Sequence, residues 1–307
     1  MHKTIRIGTR SSQLAMWQAN TVAEKLNALG HAAEIVPMKS QGDIVLDKPL
    51  YKIGIVGVFT KTLDLALLND EIDIAVHSMK DVPTGLPKGI VEAAVLERAN
   101  PYDVLVYNGN LDFLNAEAVI ATSSLRRTAQ WLNRYPNHRI ENLRGNINTR
   151  LQKTRKNQWN GAIFAAAGLE RLDLLPAPYK MLEWMIPAPA QGAIMVVSRE
   201  DDELLKETLS HINHKKSQIE TQIERQFLKT LEGGCSAPIG ALARYDEEKQ
   251  HISFHGILLS LDGREKVEIN KSFSMGTENI NGADFAKTLL AEGGEELMRE
   301  YREKRKR

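Results

Sequence analysis

The stretch Thr4-Ile-Arg-Ile-Gly-Thr-Arg-Ser-Ser-Gln-Leu-Ala15 decides the fold of the amino-terminal part of the chain. Residues 4–9 have the pattern of a buried β-strand, and apolar residues at nearly helical spacing predict a helix over 12–29 that stops at Gly30. The same strand-to-helix turn returns at Ala121-Thr-Ser-Ser124. This short internal repeat indicates two related halves.

Strands and helices continue to alternate through the first two thirds of the chain, which is typical of an α/β fold. Strands are predicted at 33–38, 72–76, 91–96, 104–107, 119–122, 139–143, 162–165 and 193–198. Helices are predicted at 59–68, 124–135, 148–156, 169–175, 202–212 and 217–231. The segment 41–58 is rich in glycine, has little periodicity and is predicted to be a loop.

The last third has a different pattern, in which the apolar period changes to two. Strands are predicted at 251–260 and 267–273, joined by an Asp262-Gly263 turn, and a helix is predicted over 283–302. These elements indicate a small antiparallel α+β domain at the carboxyl end.

Composition excludes several classes of function. The chain has 307 residues, with 40 Lys and Arg against 39 Asp and Glu, so a net charge of +1 argues against a nucleic-acid-coating protein. The single cysteine excludes an intrachain disulfide and a multi-cysteine metal site. No targeting segment or apolar run of membrane-spanning length is seen, so we expect a cytoplasmic protein without a membrane partner.

Arginines cluster at the predicted strand-to-helix turns, where a positive charge opposes the helix dipole. Several guanidinium groups at such turns indicate a shared polyanionic ligand carrying carboxylates or phosphates. A solvated basic face is the alternative, and ordinary helix capping explains the turn residues Ser12 and Ser124 equally well. The arginines are Arg10, Arg126, Arg127, Arg144, Arg150 and Arg171.

Two further residues have the placement of reactive groups. Asp81, beside Lys80, directly follows a strand, where a carboxylate is positioned to stabilise a cationic intermediate or relay protons; the alternative is a carboxylate that caps the Val82-Pro83 turn. Cys235 follows two glycines at a helix end, and its alternative is an inert small apolar residue. No His-Glu-x-x-His or phosphate-binding glycine motif is present, so no metal site is predicted.

Together these segments resemble, in order and over nearly the whole chain, those of the porphobilinogen deaminase family. They are Gly8-Thr-Arg-Ser-Ser-Gln-Leu-Ala15, Gly42-Asp43, His77-Ser-Met-Lys-Asp-Val-Pro83, Thr122-Ser-Ser-Leu-Arg-Arg127, Leu143-Arg-Gly-Asn146 with Thr149-Arg150, Ala167-Gly-Leu-Glu-Arg171, Gln191-Gly-Ala193 and Glu232-Gly-Gly-Cys-Ser-Ala-Pro-Ile-Gly240.

The resemblance implies a fold of two lobes like type II periplasmic binding proteins, with mixed sheets, plus the small C-terminal α+β domain. The implied domains are 1–98 with about 193–214, then 99–192, then 215–307. It further implies a monomer in which the active cleft lies between the two lobes.

The resemblance also implies the reaction. Four porphobilinogen molecules are coupled stepwise, with loss of ammonia each time, onto a dipyrromethane cofactor joined by a thioether to Cys235, and hydrolysis releases the linear tetrapyrrole. Asp81 and Lys80 are the implied catalytic residues. The implied cofactor-binding residues also include Ser78, Thr122, Ser124, Arg126, Arg127, Arg144 and Gly145, and the implied substrate-binding residues are Arg10, Ser12, Arg144, Arg150, Arg171 and Gln191.

Residues 41–58 correspond in this resemblance to a lid loop, with Asp43, Lys52 and Phe59 as its expected contact residues. The sequence departs here from the family's commoner Gly-Gly-Lys-Gly-Leu-Phe, because Gly54-Ile-Val-Gly-Val-Phe59 has no lysine. A second departure is Ala190, at a position where glycine is commoner.

Two other classes of function stay open on the sequence alone. One is a non-catalytic protein of the same two-lobed fold that binds a small anion, and the other is a nucleic-acid-binding protein suggested by the arginines and the basic end Lys304-Arg-Lys-Arg307. Only the enzyme requires both Cys235 and Asp81.

Overall fold

The computed structural model describes residues 4–39, 57, 60–231, 237–274 and 281–306. The expected lid residues Asp43, Lys52 and Phe59 and the expected anchor Cys235 lie outside these described residues. The chain divides into two compact units. The first contains residues up to Leu46 with Ile55–Ala99 and Gly192–Gln218, and the second contains Asn100–Gln191 with Ile219–Arg307.

The structure contains thirteen described strands, and in the first unit their bounds lie within about two residues of the predicted ones. In chain order they are β1 (Ile5–Arg10), β2 (Ala33–Met38), β3 (Ile74–Ser78), β4 (Ile90–Val95), β5 (Asp103–Tyr107), β6 (Val119–Ala121), β7 (Arg139–Glu141), β8 (Gly161–Ala165), β9 (Tyr179–Leu182), β10 (Ile194–Arg199), β11 (Ile239–Asp246), β12 (His251–Leu259) and β13 (Lys266–Ser274).

The helices lie between these strands and after the last one. They are α1 (Gln13–Ala28), α2 (Lys61–Leu68), α3 (Leu125–Arg134), α4 (Ile147–Lys156), α5 (Ala166–Glu170), α6 (Glu203–Ser210), α7 (Lys215–Thr230), α8 (Gly282–Leu289) and α9 (Glu295–Lys306). Among the described helices, none has the length and apolar character needed to cross a membrane.

Two five-stranded sheets share one plan. The first has the order β2-β1-β3-β10-β4, with β2, β1 and β3 parallel and β10 antiparallel to both of its neighbours. The second has the order β7-β6-β8-β5-β9, with β7, β6 and β8 parallel and β5 antiparallel to both of its neighbours. The prediction of two α/β lobes with mixed sheets is confirmed.

The third sheet, β11-β12-β13, is antiparallel throughout and lies in the second unit. Its apolar face packs against α7, α8 and α9 around the buried side chains of Phe227, Phe254, Phe285, Leu289 and Met298. Each such side chain contributes roughly 1.5–3 kcal/mol to the free energy of unfolding. The predicted α+β arrangement at the carboxyl end is confirmed, whereas the domain boundary at 215 stays a prediction.

The start of the first unit shows why its sequence folds as it does. α1 buries one face, made by Ala19, Val22 and Leu26, against the sheet, and its end at Leu29 is followed by Gly30 with φ 86°. A Cβ atom at Gly8 would lie 2.2 Å from Cδ1 of Ile72, so a larger residue in β1 would force the Ile72 side chain to move.

Some predicted elements were wrong. The helix predicted at 169–175 is α5, which begins at Ala166 directly after β8. The region predicted as one helix over 283–302 contains two helices, α8 and α9. The helix is interrupted between them because Gly293 has a non-helical φ of 111°. Strands β9 and β11 were not predicted at all.

Candidate active site

Polar and charged residues follow two neighbouring parallel strands of the first sheet. Arg10 and Ser12 lie at and after the end of β1, and Ser78, Lys80 and Asp81 lie at and after the end of β3. Since β1 and β3 pair in parallel, their carboxyl ends emerge at the same edge of the sheet. The structure therefore brings together these five predicted site residues of the first unit.

The turn between β1 and α1 is a capped helix start. The Ser12 hydroxyl accepts a hydrogen bond from the backbone N–H of Ala15 at 3.3 Å, and the buried Thr9 hydroxyl donates to the carbonyl of Ala15 at 3.1 Å. The capping interpretation of Ser12 is confirmed. Its role toward a substrate stays a prediction.

A second support holds the end of β3. The amide of Gln18, which is only 1% exposed, exchanges two hydrogen bonds with the Ser78 hydroxyl at 2.9 and 3.2 Å. The next residue, Met79, is buried and donates its backbone N–H to the carbonyl of Ala193 at 3.0 Å. Ser78 and the turn after it are thus fixed on buried neighbours.

Asp81 ends the short 3-10 helix Met79–Asp81, and both Asp81 and Lys80 are half-buried. The backbone N–H of Val82 donates to the carbonyl of Met79, so the turn closes without the carboxylate. Among the residues that the structure describes, the Asp81 carboxylate makes no hydrogen bond or ion pair, which disagrees with the capping alternative. A rigidly placed carboxylate here is available to a cationic partner.

His77 precedes these residues on β3 and is 6% exposed. Burial and the nearby positive charge of Arg10 lower the pKa of His77 to about 4. The imidazole is therefore neutral at pH 7 and adds no positive charge beside Arg10.

The second sheet repeats the arrangement at the carboxyl ends of β6, β7 and β8. Thr122 and Ser124 follow β6, Arg144 and Gly145 follow β7, and Arg171 lies just beyond α5, which follows β8. These three strands are parallel neighbours, so these residues of the second unit meet at one edge of the sheet.

The turn after β7 is shaped by Gly145, which has φ 120°. A Cβ atom at this position would lie 2.8 Å from Cγ2 of Thr149, so only glycine fits. Asn146 caps α4 by accepting from the N–H of Thr149 at 2.9 Å, and Arg150 donates from Nε to the carbonyl of Gly145 at 2.7 Å. Arg150 is thus tied to the turn that presents Arg144.

Two of these arginines are desolvated. Arg144 is 6% exposed, and burial lowers its pKa. Burial also lowers the pKa of Arg171 to about 10, although the negative charge of Glu170 opposes the shift. Both guanidinium groups stay charged at pH 7, and removal from water makes them stronger partners for a carboxylate.

Arg126 and Arg127, in the first turn of α3, are turned inward to Asp103 at the start of β5. Arg126 donates to Oδ2 of Asp103 at 2.7 Å and to the carbonyl of Ile186 at 2.8 Å. Arg127 donates to Oδ1 of Asp103 at 2.7 and 3.1 Å and to the carbonyl of Ile163 at 2.9 Å. Their predicted binding of a cofactor stays a prediction, and the contacts that the structure describes are internal.

Gln191 joins the same carboxylate. Its amide nitrogen donates to Oδ1 of Asp103 at 2.9 Å and to the carbonyl of Pro101 at 2.7 Å. Burial alone would raise the pKa of Asp103, but the charges of Arg126 and Arg127 and the hydrogen bonds hold it well below its usual range. Gln191, predicted to bind substrate, is 1% exposed and occupied in this network.

Neither Asp103 nor Gln18 is among the site residues predicted from the sequence. Asp103 directly precedes the predicted strand 104–107, Gln18 lies within the predicted helix 12–29, and a buried charge needs a partner. Two adjacent arginines at a helix start, with no carboxylate nearby in sequence, are the signal that would have prompted a search for one.

The turn between β6 and α3 is also a capped helix start. Ser124 caps α3 by accepting from the N–H of Arg127 at 3.5 Å, and Thr122 accepts from the N–H of Ser124 at 3.2 Å.

Within the described ranges, no group of three or more His, Cys, Asp or Glu residues is arranged to hold a metal ion.

Comparisons with known proteins cover nearly all of the chain. The family model for the porphobilinogen deaminase dipyromethane cofactor binding domain matches residues 5–207, and the model for the C-terminal domain of porphobilinogen deaminase matches residues 218–291. The probable porphobilinogen deaminase of Methanocaldococcus jannaschii is 48% identical over 84% of this chain and 89% of its own length. The porphobilinogen deaminase of Syntrophomonas wolfei is 42% identical over 98% of this chain and 99% of its own.

A solved structure is also similar, at much lower identity. A probable amino-acid ABC transporter extracellular-binding protein from Bacillus subtilis has 12% identity and a TM-score of 0.42, covering 69% of this chain and 90% of its own.

Proposed function

The chain belongs to the porphobilinogen deaminase family, and from that premise we propose which of its residues carry the reaction. It is an enzyme, a transferase of tetrapyrrole biosynthesis with a dipyrromethane cofactor. Its substrate is porphobilinogen, of which four molecules are condensed with loss of ammonia. The non-catalytic and nucleic-acid-binding alternatives are set aside.

The observation that carries this proposal is the edge formed after β6, β7 and β8. Porphobilinogen and dipyrromethane bear acetate and propionate side chains, and guanidinium groups are the side chains that bind carboxylates with two parallel hydrogen bonds. The partly or fully buried side chains of Arg144 and Arg171 supply guanidinium groups along this edge. The hydroxyls of Thr122 and Ser124 are further hydrogen-bond donors at the same edge.

The residues of the second unit also fit the cofactor by their chemistry. Arg126 is 4% exposed, and its Nε has no hydrogen-bond partner among the described residues, so a buried donor there favours an anion. We assign the carboxylates of the cofactor to Thr122, Ser124, Arg144 and the turn at Gly145. When bound, the dipyrromethane supplies the primer to which substrate units are added.

In the first unit, Asp81 is the proposed catalytic carboxylate. When ammonia leaves the protonated aminomethyl group of porphobilinogen, the carbon–nitrogen bond breaks and both bonding electrons depart with the nitrogen. Positive charge therefore develops on the pyrrole ring, and a nearby carboxylate lowers the energy of that charged state. The 3-10 turn, and a carboxylate without a hydrogen bond or ion pair to any residue that the structure describes, support this role for Asp81.

Arg10, Ser12, Ser78 and Lys80 lie at the same sheet edge as Asp81 and are proposed to bind the carboxylates of the incoming substrate. The lowered pKa of His77, caused by burial and by the nearby charge of Arg10, places the guanidinium group of Arg10 close to the end of β3 and supports this assignment. Arg150 and Arg171 are proposed to serve the same purpose in the second unit.

The test replaces Asp81 with Asn, which keeps the shape and removes the negative charge. We expect kcat to fall by a factor of about 30 or more, equivalent to about 2 kcal/mol in the barrier, with unchanged thermal unfolding. Exposed Asp201, in the same unit, gives the matched control Asp201→Asn, which is expected to behave like the wild type. Near-normal turnover by folded Asp81→Asn enzyme would remove the catalytic role.

The cellular setting is a further proposal. A thioether to Cys235 requires a reduced thiol, and this requirement supports a cytoplasmic compartment. We also expect a monomer, and light scattering on the purified protein tests that expectation by giving the mass of one chain or of several.

A further inference from the structure

Asp103 is the shared partner of three residues that the family resemblance associates with ligands. Its carboxylate, which is fully buried, binds Arg126, Arg127 and Gln191 at 2.7–3.1 Å. None of these three residues is near Asp103 in sequence: they lie 23, 24 and 88 positions away. One carboxylate therefore connects β5, the first turn of α3 and the segment that precedes β10.

The segment that precedes β10 is held to α3 by further hydrogen bonds. The amide of Gln130 accepts from the N–H of Ile186 at 2.8 Å and donates to its carbonyl at 2.9 Å. Arg126 donates to the same carbonyl at 2.8 Å. Rotation of α3 would break this set of contacts together, so Asp103 and Gln130 fix the direction in which the helix start faces.

The charges in this cluster do not cancel. Arg126 and Arg127 carry two positive charges and Asp103 one negative charge, which leaves a net charge of +1 in a region removed from water. Two guanidinium groups so close together repel each other, and a single carboxylate bound by both holds them in place. The remaining positive charge lies in the first turn of α3, next to the Thr122 and Ser124 turn that is proposed to bind an organic carboxylate.

We propose that Asp103 is a positioning residue of this enzyme: it orients Arg126 and Arg127 and thereby fixes the start of α3, with Thr122 and Ser124, for binding of a carboxylate ligand. This inference rests on the proposed function, since it names the residue that prepares the cofactor-binding edge. Asp103 itself touches neither substrate nor cofactor in this role.

The experiment compares Asp103→Asn with the wild type by denaturing intact-protein mass spectrometry and by steady-state kinetics. We expect the fraction of folded protein that carries a pyrrolic adduct to fall at least fivefold. In the remaining loaded enzyme, KM for porphobilinogen should rise at least tenfold while kcat changes less than threefold. A merely structural carboxylate would lower the unfolding temperature and leave the adduct fraction and KM of the folded protein unchanged, and that result would overturn the proposal.

Asp103→Glu covers the case in which Asp103→Asn does not fold. It keeps the charge and shifts the carboxylate by one methylene group, so we expect folded protein with an adduct fraction and KM between those of the other two proteins. Folded Asp103→Glu that matches the wild type in both readouts overturns the positioning role. Exposed Asp112, also in the second unit, gives the control Asp112→Asn, expected to match the wild type.

The wild-type result separates this inference from the function on which it rests. Wild-type protein without an adduct and without turnover would overturn the proposed function and the role of Asp103 with it. Loaded, active wild type with an equally loaded Asp103→Asn variant would overturn the inference alone.

Discussion

The backbone N–H of Ala190 donates a 2.6 Å hydrogen bond to Oε2 of the buried Glu224, while Ala190 holds a φ of 61°. The other oxygen of Glu224 accepts from the N–H of Ala243 at 2.8 Å. One carboxylate on α7 thus connects the segment before β10 to strand β11. It also holds a residue with a Cβ atom in the left-handed region that favours glycine.

This relationship predicts the effect of Ala190→Gly on stability. Glycine removes a strain of roughly 1–2 kcal/mol, but it costs roughly 0.5–1 kcal/mol in chain entropy, so we expect the free energy of unfolding to rise by about 0.5–1 kcal/mol. Urea denaturation measures the change. Ala188→Gly, two residues away and without a positive φ, should instead lower stability; a similar loss in both variants would contradict the argument.

His77 predicts a loss of stability in mild acid. Its pKa is about 4 in the folded protein against 6.5 in an exposed histidine, so the unfolded chain binds more protons as the pH falls from about 6.5 to about 4. Stability therefore decreases through this window, by at most about 3 kcal/mol, and the contribution is constant below it. Denaturation curves at several pH values measure the slope.

The matched variants for this pH effect are His77→Gln and His211→Gln. The first removes the titrating group and should flatten the slope between pH 6.5 and 4, whereas His211 is exposed and its replacement should leave the slope as it is. Asp103 acts in a lower window, because its depressed pKa causes stability to be lost only below the ordinary carboxylate pKa of 3.8. Equal slopes in wild type and His77→Gln would exclude His77 as the cause.

The arginines after β7 predict a defect in ligand binding. Arg144→Leu or Arg150→Leu should reduce cofactor assembly or stall chain elongation, with each lost contact to a carboxylate costing roughly 1.5–3 kcal/mol in binding. Gel separation of enzyme–intermediate complexes follows elongation. The control is Arg155→Leu, because Arg155 is exposed and lies on the same helix, α4, as Arg150. The Arg155→Leu enzyme should carry out chain elongation normally. Normal elongation in all three variants would assign Arg144 and Arg150 to a structural role.

Cys235 predicts a covalent adduct. A thiolate is a strong nucleophile toward the electrophilic methylene carbon left when porphobilinogen loses ammonia, and the thioether would retain the primer through each cycle. Intact mass under denaturing conditions should show two linked pyrrole units on the peptide around Cys235 and none in Cys235→Ser. Active enzyme with the bare polypeptide mass would rule out the covalent anchor.

The sequence predicted the first lobe well because its signals are local. The bounds of β2 were predicted without error, and α1 began and ended within a residue of the predicted Ser12 and Leu29. For α1 a capping residue, Ser12, a stop at Gly30 and a nearly helical apolar spacing all lie within or next to the segment itself. The strand-end position of Asp81 was predicted for the same reason.

The missed strands depend on contacts that are distant in sequence. β11 contains Gly240, Ala241 and Ala243, which have little intrinsic preference for a strand. A Cβ atom at Gly240 would lie 2.8 Å from the carbonyl oxygen of Ile186, so its small residues follow from close packing against another segment. Asp103 was missed on similar grounds, since its partners become neighbours only when β5 inserts between β8 and β9.

The position of β10 between β3 and β4 has a consequence for the ribosome-bound chain. Strands β1 to β4 are synthesised within the first 95 residues, yet β3 and β4 have no common partner until residues 194–199 emerge. A nascent chain of intermediate length therefore leaves β4 without a partner and one edge of β3 unpaired, the kind of surface that pairs with other chains. The sheet of the first lobe therefore closes only after β10 has been made, at a point when the strands of the second lobe's sheet, β5 to β9, have already been synthesised.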